Sequence, residues 1–167
     1  LKSDFLDIWI NANCHFAISS SSGLDEVQKT FRKPVLFVNV MPIGHYISGL
    51  NNVQSIIKKM KFTKTNDLLS FKQMIDLDVI NISNTSDFDK KGIEYIDNEP
   101  DEIKAATVEF DLRLQGLWNE SEDYKKLRLQ VINTLKGWKD YNRFHGKISG
   151  HLSETFLMNN HEWLLTK

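Results

Sequence analysis

A single cysteine, Cys14, is all the thiol chemistry in this chain. One cysteine closes no internal disulfide, so a disulfide-stapled scaffold is excluded and a reducing compartment is expected. Beside apolar neighbours, Cys14 reads as a small buried hydrophobe. An excess of one charge is also lacking: 21 basic and 22 acidic residues leave a formal net charge of −1. Without a basic excess, a dedicated nucleic-acid surface is not expected. No apolar run approaches the roughly 20 residues of a membrane span, and no secretory leader is visible. The expected location is cytoplasmic, free or peripheral to a membrane. The five histidines, His15, His45, His145, His151 and His161, do not stand at metal-ligand spacing, so no metal is expected. No phosphate-loop lysine follows a glycine-rich turn, and neither G-x-G-x-x-G nor G-x-S-x-G occurs. Phosphate-loop hydrolysis, classical dinucleotide binding and the nucleophile-elbow hydrolases are disfavoured.

What is present suits one packed domain. The chain has 167 residues, 41% hydrophobic and 26% charged, enough apolar material for a core and too much for disorder. Because the chain opens on Leu1 inside a helical pattern, the expectation is a piece of a longer polypeptide.

Ser3 and Asp4 can cap a helix carrying Phe5, Ile8 and Trp9. Residues 15–19 read as a short strand with Phe16 and Ile18 on one face. A turn, Ser20 to Gly23, leads to a helix with Leu24, Val27 and Phe31 at helical spacing. Lys29, Arg32 and Lys33 gather at its end, where cations suit the dipole, and Pro34 terminates it. Val35 to Val40 is a continuous β-branched and aromatic run, as in a strand buried on both faces. Strand, helix, strand is a βαβ unit with a right-handed crossover. Residues 41–52 read as a loop, 53–57 as a strand. Ser70 and Gln73 have capping-box spacing, and residues 81–91 read as an exposed polar loop. Asn98 and Pro100 mark a helix start, followed by Ile103, Ala106, Thr107, Phe110 and Leu114; Asp101, Glu102 and Glu109 read as its solvated face. Gly116 ends that helix. Ser121 caps the next, which carries Tyr124, Leu127, Val131, Leu135 and Trp138. Phe156, Leu157, Trp163 and Leu164 form a last apolar patch. The predicted fold class is α/β, a Rossmann-like parallel sheet with flanking helices over residues 1–97, followed by mostly helical residues 98–167.

The stretch "CHFAISSSSGLDEVQKTF" carries the most chemistry. A helix N-terminus exposes unpaired N–H groups and attracts anions. Gly23 allows close backbone approach, Ser20, Ser21 and Ser22 offer hydroxyls, and the carboxyl end of a parallel strand is where open α/β sheets bind ligands. The alternative is a tight turn with Ser22 as a plain helix cap. Asn39 either offers a donor and an acceptor to the same crevice, walled by Pro42, or simply starts a turn. Asp25 and Glu26 suit the helix dipole, and Glu26 has a second reading as a partner for sugar hydroxyls. His45 lies beside the crevice, as a phosphate contact or base, or as an ordinary loop residue. His15 reads as structural.

The segment "SDFLDIWINANCHFAISSSSGLDEVQKTFRKPVLFVNVMPIG" resembles the donor half of bacterial surface-carbohydrate glycosyltransferases of the two-domain GT-B architecture. The resemblance rests on Asp7–Ile8–Trp9, Ser21–Ser22–Gly23, Pro34, Asn39 and Pro42. It extends to "LLSFKQMI", "GIEYIDNEPDEIKAA" and "FLMNNHEWLL". It implies a Rossmann-like domain that binds a nucleotide-diphosphate sugar without metal or other cofactor. The diphosphate would lie against Ser20, Ser21, Ser22, Gly23 and Leu24, with Asn39 and Pro42 lining the crevice. The glycan acceptor and the catalytic base would belong to an N-terminal domain outside this segment, and Trp138, Phe156 and Trp163 would be exposed where that domain is missing. Two rivals remain open: a nucleotide-sugar epimerase on the same scaffold, and a non-catalytic phosphate-binding or interaction module.

Overall fold

The computed structural model describes residues 3–21, 23–45, 51–145 and 150–165. In chain order these form α1 (Asp4–Asn13), β1 (Ala17–Ser19), α2 (Asp25–Thr30), β2 (Val35–Val40), a 3-10 turn (Ile43–His45), β3 (Val53–Ile57), β4 (Lys59–Phe62), α3 (Phe71–Asp76), α4 (Thr85–Lys91), β5 (Ile93–Ile96), α5 (Pro100–Leu114), α6 (Glu122–Leu135), α7 (Tyr141–Phe144), β6 (His151–Leu152) and α8 (Glu154–Leu165).

Local signals explain most helix starts. Ser3 Oγ accepts the Leu6 N–H, Ser70 and Gln73 close a reciprocal capping box, and Ser121 Oγ accepts the Tyr124 N–H. Pro100 opens α5, but its cap is Glu99, paired with Glu102, and Asn98 has another role. Residues 81–91 are not a loop throughout: α4 starts at Asn84, whose side chain accepts the Asp87 N–H, and ends at Gly92 with φ 63°. The polar composition conceals it because α4 buries Phe88 alone.

The main sheet has the order β1-β2-β3-β6, with every pair parallel. Ala17 aligns with Val35, Val35 with Val53, and Gln54 with His151. The parallel sheet and its flanking helices are Rossmann-like, and C-terminal helices follow. β6, however, arises within the mostly helical last third and joins the sheet through only two residues. β4 and β5 form a separate antiparallel pair.

Alternation assigns the two faces. Lys29 of α2 sits over the Phe37 ring, and Ser19 bonds Asp25, so Ala17, Ser19, Val35 and Phe37 face α2. On the other face Gln54 donates to Ala106 O of α5, and Phe16 meets Phe110 edge to face. β2 is buried at every position but Asn39, as its otherwise apolar sequence requires.

The core continues under the C-terminal helices. Trp138 and Phe156 are buried, at 3% and 2% exposed, and Trp163 is half-buried, contrary to the expected exposed patch. α8, which carries Phe156 and Trp163, packs against α5 and α6, and Trp138 stacks on Phe144 of α7. Glu109 is likewise no part of a solvated face. It is fully buried and accepts from Arg113 Nε, Ser153 Oγ, Thr155 Oγ1 and the N–H groups of Glu154 and Thr155. The carboxylate of α5 thus caps the first turn of α8. Glu102 is half-buried and pairs with Lys59. Among the described residues no helix is long and apolar enough to cross a membrane.

Candidate functional site

β1 ends at Ser19, opposite Phe37 of β2, and the turn leaving β1 together with the last residues of β2 and those just after it carry the predicted site residues. Ser20, Ser21, Gly23 and Leu24 are exposed on the β1–α2 turn. Ser22 lies outside the described residues. Ser21 has φ 62° and Gly23 φ 92°, both in the left-handed region, and a side chain at Gly23 would have open space but a strained backbone.

The turn already holds an anionic oxygen. Asp25 is buried, and its Oδ1 accepts the Gly23 N–H at 3.1 Å and the Ser19 hydroxyl at 3.2 Å. Ser19 Oγ in turn accepts the Ser21 N–H at 3.1 Å. Lys29 Nζ stands 3.2 Å from Asp25 Oδ2 and also pairs with the exposed Glu26. Burial pushes the Asp25 pKa up, but Lys29 and the backbone N–H of Gly23 outweigh it and hold the carboxyl below its ordinary value. The amide assigned to a phosphate is therefore engaged by Asp25 in this conformation. Sequence spacing alone gives Asp25 a dipole role; the signal for its turn role is its place two residues after the turn glycine.

The end of β2 is locked to a distant segment. Asn39 has φ 54° and interrupts the register between Phe37 and Val40. Its backbone N–H donates to Asn98 Oδ1 at 2.7 Å, and its own Oδ1 accepts the Asn98 N–H at 2.6 Å. Asn98 Nδ2 donates to Ile57 O at 2.7 Å. The Asn39 oxygen thus holds the end of β2 to the segment just before α5. Pro42, half-buried, follows a cis peptide bond from Met41 and accepts the His45 N–H.

The histidines divide by burial. His45 stacks on Phe144 at 4.0 Å, and Trp138 stacks on the same ring at 5.4 Å. Burial lowers the His45 pKa and outweighs a hydrogen bond to Asn81. His145 bonds Gly44 O at 2.8 Å, and burial lowers its pKa as well. His15 is largely exposed and meets Asp111 at 3.0 Å. Cys14 is half-buried at the end of α1, its thiol donating to Asn11 O. His151 lies at the opposite, amino edge of the sheet, beside a cleft of about 510 Å³ lined also by Asn51, Asn52, Phe110 and Arg113. Both its ring nitrogens are buried without a hydrogen-bond partner, so they do not open into that cleft. Among the described residues no group of three or more His, Cys, Asp or Glu side chains could hold a metal ion.

No protein-family model, curated protein or solved structure matches the chain.

Proposed function

We propose that this chain is the donor-binding part of a glycosyltransferase acting in surface polysaccharide or related glycan synthesis, and that it takes a nucleotide-diphosphate sugar at the carboxyl edge of β1 and β2. The observation that carries this reading is the β1–α2 turn, where a backbone N–H and Lys29 hold a carboxylate at a strand end. A diphosphate offers the same kind of oxygen with more charge. On binding, it takes the place of the Asp25 carboxylate at the Gly23 N–H and gains the Ser20 and Ser21 hydroxyls. Leu24 and Pro42 wall the crevice, and Asn39 sets the loop. The catalytic contribution of this part is electrostatic, holding the leaving diphosphate as its charge develops. The acceptor and the base belong to a separate N-terminal domain.

The test is calorimetry with nucleoside diphosphates and nucleotide sugars at low salt, on the parent and on Asp25→Ala. Removing the competing carboxylate should tighten binding about tenfold, roughly 1.4 kcal/mol, while Lys29→Ala weakens it. Circular dichroism checks that the variants fold. If neither protein binds any nucleoside diphosphate, the donor reading fails. The engaged Gly23 amide then favours a non-catalytic interaction module.

A further inference from the structure

α1 has the sequence of a helix that should be covered, yet it buries none of its residues. Phe5, Ile8 and Trp9 fall at i, i+3 and i+4 on one side; Phe5 is 76% exposed and Trp9 53%. Such a stripe on a helix ordinarily faces a core. A hydrogen bond from Gln28 of α2 to Asn11 sets it beside α2.

β1 is an edge strand with the same deficit. Ala17 donates its N–H to Pro34 O, toward β2. Alternation turns the Ile18 N–H and C=O away from β2, where the sheet has no further strand among the described residues. The Ile18 side chain is 49% exposed. Parallel sheets are characteristically covered, and an open edge invites another strand.

Topology says which strand. α2 is the crossover from β1 to β2, on the face carrying Ala17, Ser19 and Phe37. α1 touches α2, so it belongs to that face, and it enters β1 after only three residues. A helix so placed stands where a crossover from a preceding parallel strand would lie. A right-handed connection on this face sets that strand on the open side of β1.

We propose that the open edge of β1 and the apolar face of α1 receive a fifth parallel strand, belonging to the same polypeptide N-terminal to α1 and lying beneath Phe5, Ile8 and Trp9. A second copy of the chain related by a two-fold axis in this region would instead meet β1 antiparallel and set helix against helix over the seam. The inference does not depend on donor binding, and failure of the ligand titrations leaves it intact.

The experiment compares this 167-residue chain with the same chain extended N-terminally by its natural coding sequence. Amide hydrogen exchange at Ile18 and along α1 should slow at least about a hundredfold in the extended protein. Trp9→Glu should leave the melting temperature of the shorter chain unchanged and lower that of the extended one. Equal exchange and equal tolerance of Trp9→Glu in both proteins would overturn the proposal. So would a dimer of the shorter chain, seen by sedimentation, that Trp9→Glu abolishes, because a second copy would then be the occupant.

Discussion

Asn39 and Asn98 bond each other reciprocally, each backbone N–H donating to the other's side-chain oxygen at 2.7 and 2.6 Å. The pair joins a left-handed residue at the end of β2 to the residue two before α5, and Asn98 also reaches Ile57 O of β3. Three segments meet at one buried amide, 6% exposed.

Replacing that amide tests the lock. Asn98→Ala strands the Asn39 N–H and the Ile57 carbonyl, so a loss of about 2–4 kcal/mol is expected. Urea unfolding followed by circular dichroism measures it. A loss below about 0.5 kcal/mol would mean that solvent replaces the missing bonds.

Glu109 fixes α8 to α5 in a comparable way. Glu109→Ala leaves Arg113 without its Nε partner and the first turn of α8 without its acceptor. Breaking a buried pair on one side costs about 3–5 kcal/mol. The expected result is a large fall in the unfolding midpoint, with faster amide exchange in α8 than in α3. Uniform exchange across the molecule would contradict a local capping role.

Gly44 is packed against Trp138. A Cβ there would meet Trp138 Cη2 at 2.9 Å and Ile80 O at 3.1 Å. Gly44→Ala should cost about 1–3 kcal/mol through overpacking. Trp138→Phe gives way on one side of the clash, so in a double-mutant cycle the two losses should sum to more than the double variant shows. Simple additivity would mean that Ile80 O, not the indole, sets the cost.

Stability should fall on acidification through a histidine. Burial, reinforced by Arg113 and Arg128 and opposed by Glu120 and Glu109, lowers the His151 pKa to about 4 from 6.5. The unfolded chain therefore takes up the proton first. The contribution is complete above about pH 6.5 and is lost as pH falls toward 4, by at most about 3 kcal/mol. His45 and His145, also lowered, act in the same direction. Unfolding midpoints between pH 4 and 7 should slope upward, and His151→Phe should flatten the slope. An unchanged slope would remove His151 from the account.

Legibility in the sequence follows the range of the interaction. The caps at Ser3, Ser70 and Ser121 were readable because cap and amide lie three residues apart. β2 was readable because five of its six consecutive positions are apolar, which leaves little else for the chain to do. α4 had its signals, Asn84 before Asp87 and Gly92 after two lysines, but one buried residue gave no apolar rhythm. β6, two residues long, had no local signal at all; it exists because β3 offers an edge. At the candidate site, the turn and its exposed serines were legible. The partners of Gly23 and Asn39 were not, since one depends on a side-chain rotation and the other on a residue 59 positions away.

By itself the sequence determined the order of strand, turn, helix and strand, the caps, and the absence of charge excess, disulfide and metal-ligand spacing, because each is encoded within a few residues. Only the tertiary structure decided that Glu109, Trp138 and Phe156 are interior, that Asn39 is held by Asn98, and that Asp25 occupies the turn amide. These depend on which surfaces meet after the chain has folded, and residue spacing carries no record of that.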